Sequence, residues 1–349
     1  MTVSISKPSI NIREKLSEIP PLDKLVNKGD DISKLSGIGR KNLIINGDFR
    51  ISQRGDYDTA PVAVVNYGYL VDRWLNRASG ITATVQRTSV IIDGVAKKAM
   101  KYVATSTTTG YLGAHQRIEI GNINIGSTVT LSCKIRSNHP KAGLRMEHIG
   151  GVDGDGPQKH SGSGQWENFS WTLDTTGTNP AEVEVSAYAI IFNSATTPIQ
   201  SGDYIEIADF QLEIGPTATD FEYRSFGEEL ALCQRYYEKS FNYVTAPTNG
   251  SSVTSFSHFA GLVTGISTNT VGIGGHCSFL VEKRATPTMT RYGNSDGHGR
   301  YILENNTDGW ALNAFNFSYI GTKSFMFRQQ QLSSTFIISQ AHWTADAEL

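Results

Sequence analysis

The sequence has little of what marks several common classes of protein. Charged residues make up 18% of the 349 residues, the formal net charge is -2, and the basic residues form no stripe, so a nucleic-acid partner is not expected. No run approaches the ~20 apolar residues that cross a bilayer, and the N-terminus has no apolar stretch of signal-peptide length. We therefore predict that the protein does not insert into a membrane. We also predict that it is made in a cytoplasm and leaves the cell, if it leaves, by a route such as cell lysis.

Motifs of metal sites and of catalysis are also missing. The three cysteines, Cys133, Cys233 and Cys277, are far apart and have no CxxC spacing, which argues against a zinc site. The sequence has no phosphate-binding loop, no HExxH and no GxSxG. Its acids lie mostly at turns or at outward strand positions, although a carboxylate pair of the glycosidase type is left open. We predict that the protein is not an enzyme.

What the sequence does contain is turns and short alternating runs. It has 34 glycines, and Thr, Ser and Asn are frequent, which suits short strands joined by turns. Within 41–222, many runs alternate polar with apolar residues, so that Val183, Val185 and Ala187 would face one way. Cys133 would point into a core in the same manner. The pattern predicts a mostly β protein with a two-sheet β-sandwich in this region.

Residues 1–40 differ from the rest and are predicted to form a short helical leader. Ile10–Ile19 could form a helix, which Pro20-Pro21 would end. The apolar residues that follow are too sparse to close a core, so the segment needs a partner. An attachment segment is the prediction, and a disordered leader is the alternative.

One convincing helix is predicted within 223–240, between two β regions. In 226–240, acidic residues lie in the first turn and basic residues lie toward the end, as the helix dipole favours. Leu230, Cys233 and Tyr237 would form one apolar stripe. Residues 241–349 then return to β character and are predicted to form a second, smaller β-sandwich at the C-terminus.

The glycine-rich segment 148–164 is predicted to be a loop. Asp153 and Asp155 could supply oxygen ligands to a calcium ion, a hard cation that binds carboxylates. The segment lacks the glutamate of an EF-hand, and a solvated loop without metal is the alternative. A structural calcium ion is the one cofactor hypothesis that the sequence suggests.

Two polar turns near the C-terminus are the best candidates for ligand contact. NSDGHGRY (294–301) and ENNTDGW (304–310) would adjoin if the strands between them pair. Short polar side chains beside an aromatic ring suit the hydroxyl groups of a glycan, and two ordinary hairpin tips are the alternative. The predicted glycan-binding residues are Asp296, His298, Arg300, Asn305, Asn306, Asp308 and Trp310.

Two tryptophans in the predicted sandwich are also candidate sugar platforms, because pyranose rings present flat C–H faces to aromatic rings. Trp166 and Trp171 lie five residues apart in one predicted strand. They therefore face opposite sides of the sheet, and at least one is expected to be a core residue.

The stretch 41–215 resembles the jelly-roll carbohydrate-binding-module family. The segments that carry this resemblance, in order along the chain, are NLIINGDF (42–49), VTLS (129–132), IRS (135–137), WENF (166–169) and YIEIADFQLE (204–213). The resemblance implies a jelly-roll fold for 41–222 and binding of sugars. Such modules often carry a structural calcium ion, which gives mild support to the calcium hypothesis.

The whole chain more closely resembles tail fibre proteins of bacteriophages. The matching segments are GRKNLIINGDF (39–49), QLEIGPTATDFEYRSFGEELALCQRYYEKS (211–240), KRATPT (283–288) and WTADAEL (343–349). The resemblance implies a homotrimeric virion protein of the phage tail. Residues 1–40 would attach it to other tail proteins, and residues 241–349 would be the receptor-binding tip, contacting host surface polysaccharide or lipopolysaccharide.

Two other functions are alternatives to a receptor-binding tail fibre. The protein could be a structural virion or adaptor protein without host contact, or a sugar-binding module of a carbohydrate-active system. A trimer is favoured on physical grounds as well, because a thin fibre has many sheet edges and closed symmetry covers the same edge on each chain. Repeated copies would also multiply a weak glycan contact by avidity.

Overall fold

The computed structural model describes residues 41–107, 109–123, 125–150, 152–179, 184–192, 196–249, 272–292, 299–303, 308–311, 316–330, 337–340 and 342–349. The chain divides into two units, Met1–Lys41 and Asn42–Leu349, and all the elements given below belong to the second. The predicted leader, 1–40, lies outside the described residues. No helix in the described ranges is long and apolar enough to cross a membrane.

The described residues are mostly β. The strands, numbered along the chain, are β1 (Val62–Ala63), β2 (Leu75–Ser79), β3 (Ala83–Ile92), β4 (Val95–Ala104), β5 (Tyr111–Glu119), β6 (Thr128–Ser137), β7 (Ala142–Ile149), β8 (Val152–Lys159), β9 (Trp166–Asp174), β10 (Glu184–Ile191), β11 (Tyr204–Ile214), β12 (Tyr237–Lys239), β13 (Gly272–Ser278), β14 (Thr288–Tyr292), β15 (Gly299–Leu303), β16 (Asp308–Ala311), β17 (Asn316–Ser318), β18 (Ser324–Gln330), β19 (Ile337–Gln340) and β20 (His342–Asp346). One α-helix, α1, spans Phe226–Gln234 in this part of the chain.

Strands β1 to β11 form a β-sandwich of two antiparallel sheets. One sheet has six strands in the order β1-β3-β4-β11-β6-β9, and the other has five in the order β2-β5-β10-β7-β8. The sheets enclose one large core that includes Trp74, Tyr102, Leu131, Val185 and Phe210, all fully buried. The prediction of a mostly β chain with a two-sheet sandwich is therefore confirmed.

Alternation along the strands places the core side chains as the sequence predicted. Strand β6 buries Leu131, Cys133 and Ile135 in the core and turns Ser132 and Lys134 toward the outer face. The prediction that the two tryptophans of β9 face opposite sides also holds. This strict period of two is what a strand with one buried face requires.

The predicted loop at 148–164 is wrong for its central part, because Val152–Lys159 is strand β8. It pairs with β7, with two irregularities in register. Gly156 explains why glycine does not mean a loop here: a Cβ at this position would lie 3.1 Å from the Trp171 ring and 3.2 Å from the carbonyl oxygen of Leu144. Glycine allows the close approach of backbone to ring and sheet.

The segment Asn42–Phe49, one of those that carry the resemblance to carbohydrate-binding modules, is not a strand. Asn46 and Phe49 have φ values of 59° and 57°, in the left-handed region, so the chain turns there. The turn is held by Asn46, whose side-chain amide donates to the carbonyl oxygens of Ile51 and Asp72 at 2.9 Å. Trp74 donates its indole N–H to the Asn46 carbonyl at 2.8 Å, which ties the turn to the core.

Helix α1 begins at Phe226 as predicted but ends at Gln234, six residues before the predicted end at 240. Ser225 caps its start by accepting a hydrogen bond from the Glu228 N–H at 3.2 Å. The helix stops because Tyr237–Lys239 pairs instead with β20. Lys239 is buried and donates to the carbonyl oxygens of Gln53, Tyr243 and Thr245 at 2.6 to 2.8 Å, which holds the chain in this new direction.

The residues described in the C-terminal part form three small antiparallel sheets. Their orders are β12-β20-β14, β13-β18-β17 and β16-β15-β19. A second, small core of Phe279, Phe325, Trp343 and Ala345 lies among the first two of them. The second core agrees with the predicted second β region, whereas the domain limits at 222 and 240 stay predictions.

Segments far apart in sequence meet at the side of the sandwich, in what we call the junction: Arg73, Arg224, Glu229, Lys283 and Glu348. Arg224 lies against Glu229 of α1 at 3.2 Å, and Lys283 pairs with Glu238 of β12 at 2.6 Å. Arg73 pairs with Glu348 just after β20, and both side chains are almost fully buried. Three of the segments that carry the fibre resemblance, 211–240, 283–288 and 343–349, supply every member of the junction except Arg73. The fourth, 39–49, meets the junction through the hydrogen bonds that Arg224 donates to the carbonyl oxygens of Asn42 and Ile44.

Candidate functional site

The six-stranded sheet forks where β11 carries a bulge. Strand β11 pairs with β4 from Tyr204 to Ile207, and its register to β6 then shifts between Ala208 and Gln211. Beyond the bulge, the segment 42–47 replaces β4 as the neighbour of β11, and β6 stays paired on the other side. The Phe210 N–H donates a hydrogen bond to the Gly47 carbonyl oxygen at 2.9 Å. The first half of strand β4, before Met100, pairs with β3 and not with β11, so an opening forms between β4 and β11. Bulges of this kind bend a strand and re-aim side chains.

Asp209 is the residue that the bulge turns toward the opening. Its φ of 51° is in the left-handed region, which aspartate tolerates better than most residues do. Its carboxylate forms an ion pair with Lys97 of β4, and the Tyr223 hydroxyl donates to it at 3.4 Å. We call Lys97, Asp209 and Tyr223 the notch triad.

The Lys97 side chain of the notch triad is held in its charged form. Burial by itself would lower the pKa of Lys97, but its hydrogen bonds and its attraction to Asp209 outweigh burial and raise that pKa. The Lys97 ammonium also lies 5.4 Å from the centroid of the Tyr223 ring, within cation–π range. The triad therefore presents a fixed, charged hydrogen-bonding group beside an aromatic ring.

Two cavities flank the notch triad. The larger, of about 500 Å³, is lined by Asp93, Lys97, Ser132, Cys133, Lys134, Asn168, Phe169, Ser170, Asp209, Ala218, Thr219, Asp220, Phe221 and Tyr223. The smaller, of about 300 Å³, is lined by Asp48, Arg50, Ser89, Ala96, Lys97, Lys98, Asp209 and Tyr223. Both volumes fall in the range of ligand sites, roughly 300 to 1,000 Å³.

The larger cavity has a floor of short polar side chains from the outer face of the sheet. Strand β6 contributes Ser132 and Lys134, and β9 contributes Asn168 and Ser170. These strands turn their apolar residues to the core, so alternation puts the polar ones in the cavity. Hydroxyl, amide and ammonium groups together can both donate and accept hydrogen bonds, as the hydroxyl groups of a sugar require.

Tyr223 is the aromatic side chain that the site leaves accessible. The residue is 56% exposed, and its ring makes an edge-on contact with Phe221 at 4.9 Å between centroids. Trp166, on the same outer face, is packed instead against Ile92, Ala99 and Ala208. An exposed ring held in place from one side is suited to stacking on the apolar face of a sugar.

At the predicted glycan site near the C-terminus, the structure describes the backbone of strands β15 and β16 but not their side chains. Strands β15 and β16 pair with Arg300 opposite Trp310 and Ile302 opposite Asp308. Residues 294–298 precede one end of β15 and residues 304–307 follow its other end, so this pairing does not bring the two predicted turns together. The side chains of Arg300, Asp308 and Trp310 lie outside the description, as do the residues Asp296, His298, Asn305 and Asn306 altogether. The glycan role of these seven residues stays a prediction.

The predicted calcium ligands lie in a strand rather than in an open loop. Asp155 of β8 accepts a hydrogen bond from Arg145 at 2.7 Å, so its carboxylate has a cationic partner. The side chain of Asp153 lies outside the described residues. Within the residues that are described, no group of three or more His, Cys, Asp or Glu is placed to hold a metal ion. The calcium hypothesis stays a prediction.

Sequence reasoning missed the notch triad, but the sequence carries one sign of it. In β11 the apolar positions Ile205 and Ile207 are followed by Phe210 and Leu212, so the period of two slips by one residue at Asp209. All four side chains are fully buried in the core, which requires an extra residue between the pairs. The slip predicts a bulge, although nothing local identifies Lys97 as the partner.

Comparison with known proteins gives structural neighbours but no family. No family model matches the chain, and no curated protein matches it significantly in sequence. Among solved structures, the chain is similar to a candidate sugar-binding protein from Bacteroides thetaiotaomicron at 15% identity and a TM-score of 0.34, covering 50% of this chain and 100% of that chain. It is similar to a CBM4 structure at 15% identity and a TM-score of 0.29, covering 49% of this chain and 98% of that chain.

A third neighbour is the enzymatically active domain of tailspike protein 4 of bacteriophage CBA120. The identity is 10% and the TM-score 0.31, and the match covers 50% of this chain and 21% of that chain. The matched region therefore spans nearly all of the two carbohydrate-related structures but only a fifth of the tailspike structure. Values this low do not carry a ligand, a reaction or an assembly over to this chain.

Proposed function

We propose that the protein binds glycans without cleaving them and that its site is the opening beside the notch triad. The observation that carries this proposal is an exposed tyrosine fixed next to the half-buried Lys97–Asp209 ion pair, at the mouth of a cavity of about 500 Å³ floored by hydroxyl and amide groups. Sugar recognition needs both an apolar ring face and paired donors and acceptors, and this opening supplies both.

We further propose that the protein is a bacteriophage tail fibre that adsorbs to the host cell surface. Support comes from the order of the segments that resemble such fibres and from their meeting at the junction. The proposed assembly is a homotrimer in the virion, attached through residues 1–40 to other tail proteins. Its proposed ligand is host surface polysaccharide or lipopolysaccharide. A virion adaptor without host contact is the alternative, and it would bind no glycan.

Hydrolysis is the second activity to consider, since two carboxylates line the smaller cavity. Burial raises the pKa of Asp48, as a general acid would need, and Asp209 lies in the same cavity. Each carboxylate already has a cationic partner, however: Arg50 lies 2.9 Å from Asp48, and Lys97 pairs with Asp209. Because both carboxylates are held in ion pairs, this cavity is better suited to binding a sugar than to transferring a proton to it.

The proposal is tested by screening the purified full-length protein on an array of bacterial surface polysaccharides and lipopolysaccharides. Tyr223→Ala should weaken binding at least tenfold, because the stacking face is lost while the fold keeps its core. Tyr67→Ala is the matched control, since Tyr67 is 48% exposed but packs against His115 of the five-stranded sheet. Unchanged binding by Tyr223→Ala would reject this site, and release of reducing sugar from a bound glycan would reject the non-enzymatic assignment.

A further inference from the structure

The two cavities beside the notch triad are not separate sites. They share Lys97, Asp209 and Tyr223, so these three side chains form a common wall between a space of about 500 Å³ and one of about 300 Å³. The larger lies over strands β6 and β9, and the smaller lies between the β3–β4 hairpin and the 48–50 segment. The two cavities meet at the fork in the sheet, where the notch triad lies.

We infer that the site binds an internal stretch of a glycan chain, with sugar units in both cavities and the linkage between them crossing Tyr223. This inference rests on the proposed glycan-binding function. A single sugar can occupy only one cavity and meets the notch triad from one side. A chain that continues through both cavities meets the triad from both sides, and its second unit binds as a linked group at high effective concentration.

The polar groups of the two cavities differ in kind. The cations that line the smaller cavity are Arg50, Lys97 and Lys98, and each pairs with a carboxylate, of Asp48, Asp209 and Asp58 in turn. In the larger cavity Lys97 and Lys134 pair with Asp209 and Asp93, and the hydroxyl and amide groups of Ser132, Asn168 and Ser170 line the same space. Both cavities therefore offer hydrogen-bond donors and acceptors to the hydroxyl groups of a sugar unit.

The test measures how affinity depends on chain length. Isothermal titration calorimetry would use the full-length protein with the component monosaccharides, and with fragments of one, two, three and four to six repeat units, of whichever polysaccharide binds on the array. We expect Kd to fall at least tenfold between the monosaccharide and the fragment that fills both cavities, and then to level off. Equal affinity for the monosaccharide and the long fragments would overturn the inference and leave the proposed glycan binding intact.

Variants that fill one cavity at a time provide the second arm. Ala96 is an exposed residue that lines only the smaller cavity, and Ser170 is an exposed residue that lines only the larger. Ala96→Leu should abolish the gain with length while keeping the affinity for the shortest ligand, and Ser170→Leu should weaken every length. Ala60→Leu, at an exposed position outside both cavities, is the control.

The outcomes separate the inference from the function on which it rests. Full affinity of Ala96→Leu for long fragments, with its fold confirmed by circular dichroism, would show that the smaller cavity holds no sugar and would overturn the inference alone. Absence of binding to glycans of every length would instead reject the proposed function.

Discussion

Gly47 shows how a single residue fixes the fork beside the proposed site. A Cβ at this position would lie 2.1 Å from the carbonyl oxygen of Phe210, far inside van der Waals contact. The same two residues are joined by the hydrogen bond from the Phe210 N–H to the Gly47 carbonyl. The 42–47 segment can replace β4 as the neighbour of β11 only because Gly47 has no side chain.

Gly47→Ala should therefore lower the free energy of unfolding by about 3 kcal/mol, because either the segment or the bulge must move. Chemical denaturation of the purified protein measures this loss. Gly121→Ala is the matched control, since a Cβ there would meet no atom within 4 Å, and a change within about 0.5 kcal/mol is expected. Equal stability of the two variants would contradict the role given to Gly47.

His115 makes stability depend on pH. Its ring is fully buried and stacks on Tyr188 with 4.5 Å between centroids, and among the described residues neither ring nitrogen has a hydrogen-bond partner. Burial, helped by the nearby Arg117 and Arg77, lowers the pKa of His115 to about 3. The unfolded chain, with a pKa of about 6.5, thus binds more protons than the folded chain between pH 6.5 and pH 3.

We expect this one residue to cost up to about 1.4 kcal/mol of unfolding free energy for each pH unit below 6.5. His115→Phe keeps the aromatic stack on Tyr188 and removes the titration. The variant should therefore lose less stability than the natural protein between pH 6.5 and pH 4, as measured by denaturant titration at each pH. Parallel curves for the two proteins would show that His115 does not titrate as its burial requires.

At the scale of the elements, strand β20 and the residues after it are anchored by buried charges. Glu348 is 4% exposed in its side chain and pairs with Arg73, which is 1% exposed, and with Arg54 at 3.2 Å. Arg284 donates to the carbonyl oxygens of Ala347 and Glu348 at 3.0 and 3.2 Å. The end of β20 is thereby fixed to the sandwich.

Glu348→Ala should lower the free energy of unfolding by about 3 to 5 kcal/mol, because it leaves Arg73 buried without its anion. Glu282→Ala is the control: Glu282 lies 3.8 Å from Lys323, and both side chains are more than half exposed, so a loss within about 1 kcal/mol is expected. Thermal unfolding of both variants would measure the difference. A small loss for Glu348→Ala would mean that the junction does not anchor β20.

Element by element, the sequence predicted what depends on local periodicity and missed what depends on pairing. Alternation placed Cys133 of β6 in the core and the two tryptophans of β9 on opposite faces, because a half-buried strand must alternate. Helix α1 ended early because Tyr237–Lys239 gains strand pairing with β20, more than a hundred residues away. Strand β8 was missed because its glycines were interpreted as a loop signal, although they allow close packing on Trp171.

On the scale of the whole molecule, the junction affects how the proposed functions can be tested. Deleting 241–349 would remove Lys283 and Glu348, the partners of the buried Glu238 and Arg73. A loss of cell binding after that deletion could therefore reflect a damaged sandwich. Point variants are cleaner: Tyr223→Ala tests the sandwich site, and Trp310→Ala tests the predicted site in the C-terminal part.

The homotrimer is a prediction about the assembled protein. Sedimentation equilibrium of the purified full-length chain, of 38.1 kDa per copy, should give three times this mass at micromolar concentration. The physical reason is that closed symmetry covers exposed sheet edges, and three copies of a weak glycan site raise avidity roughly 10² to 10⁴ fold. A monomeric mass across the concentration range would contradict the trimer and the avidity argument together.

The sequence by itself determined the class of fold and the composition of the main core. Leu131, Cys133 and Ile135 had to face inward because their alternation with polar residues leaves no other arrangement of a half-buried strand. Only the tertiary structure decided where a ligand could bind, because Lys97 and Asp209 are 112 residues apart and meet through the pairing of β4 with β11. Local pattern encodes which face of a strand is buried, whereas a site is made by contacts between strands, which no local pattern records.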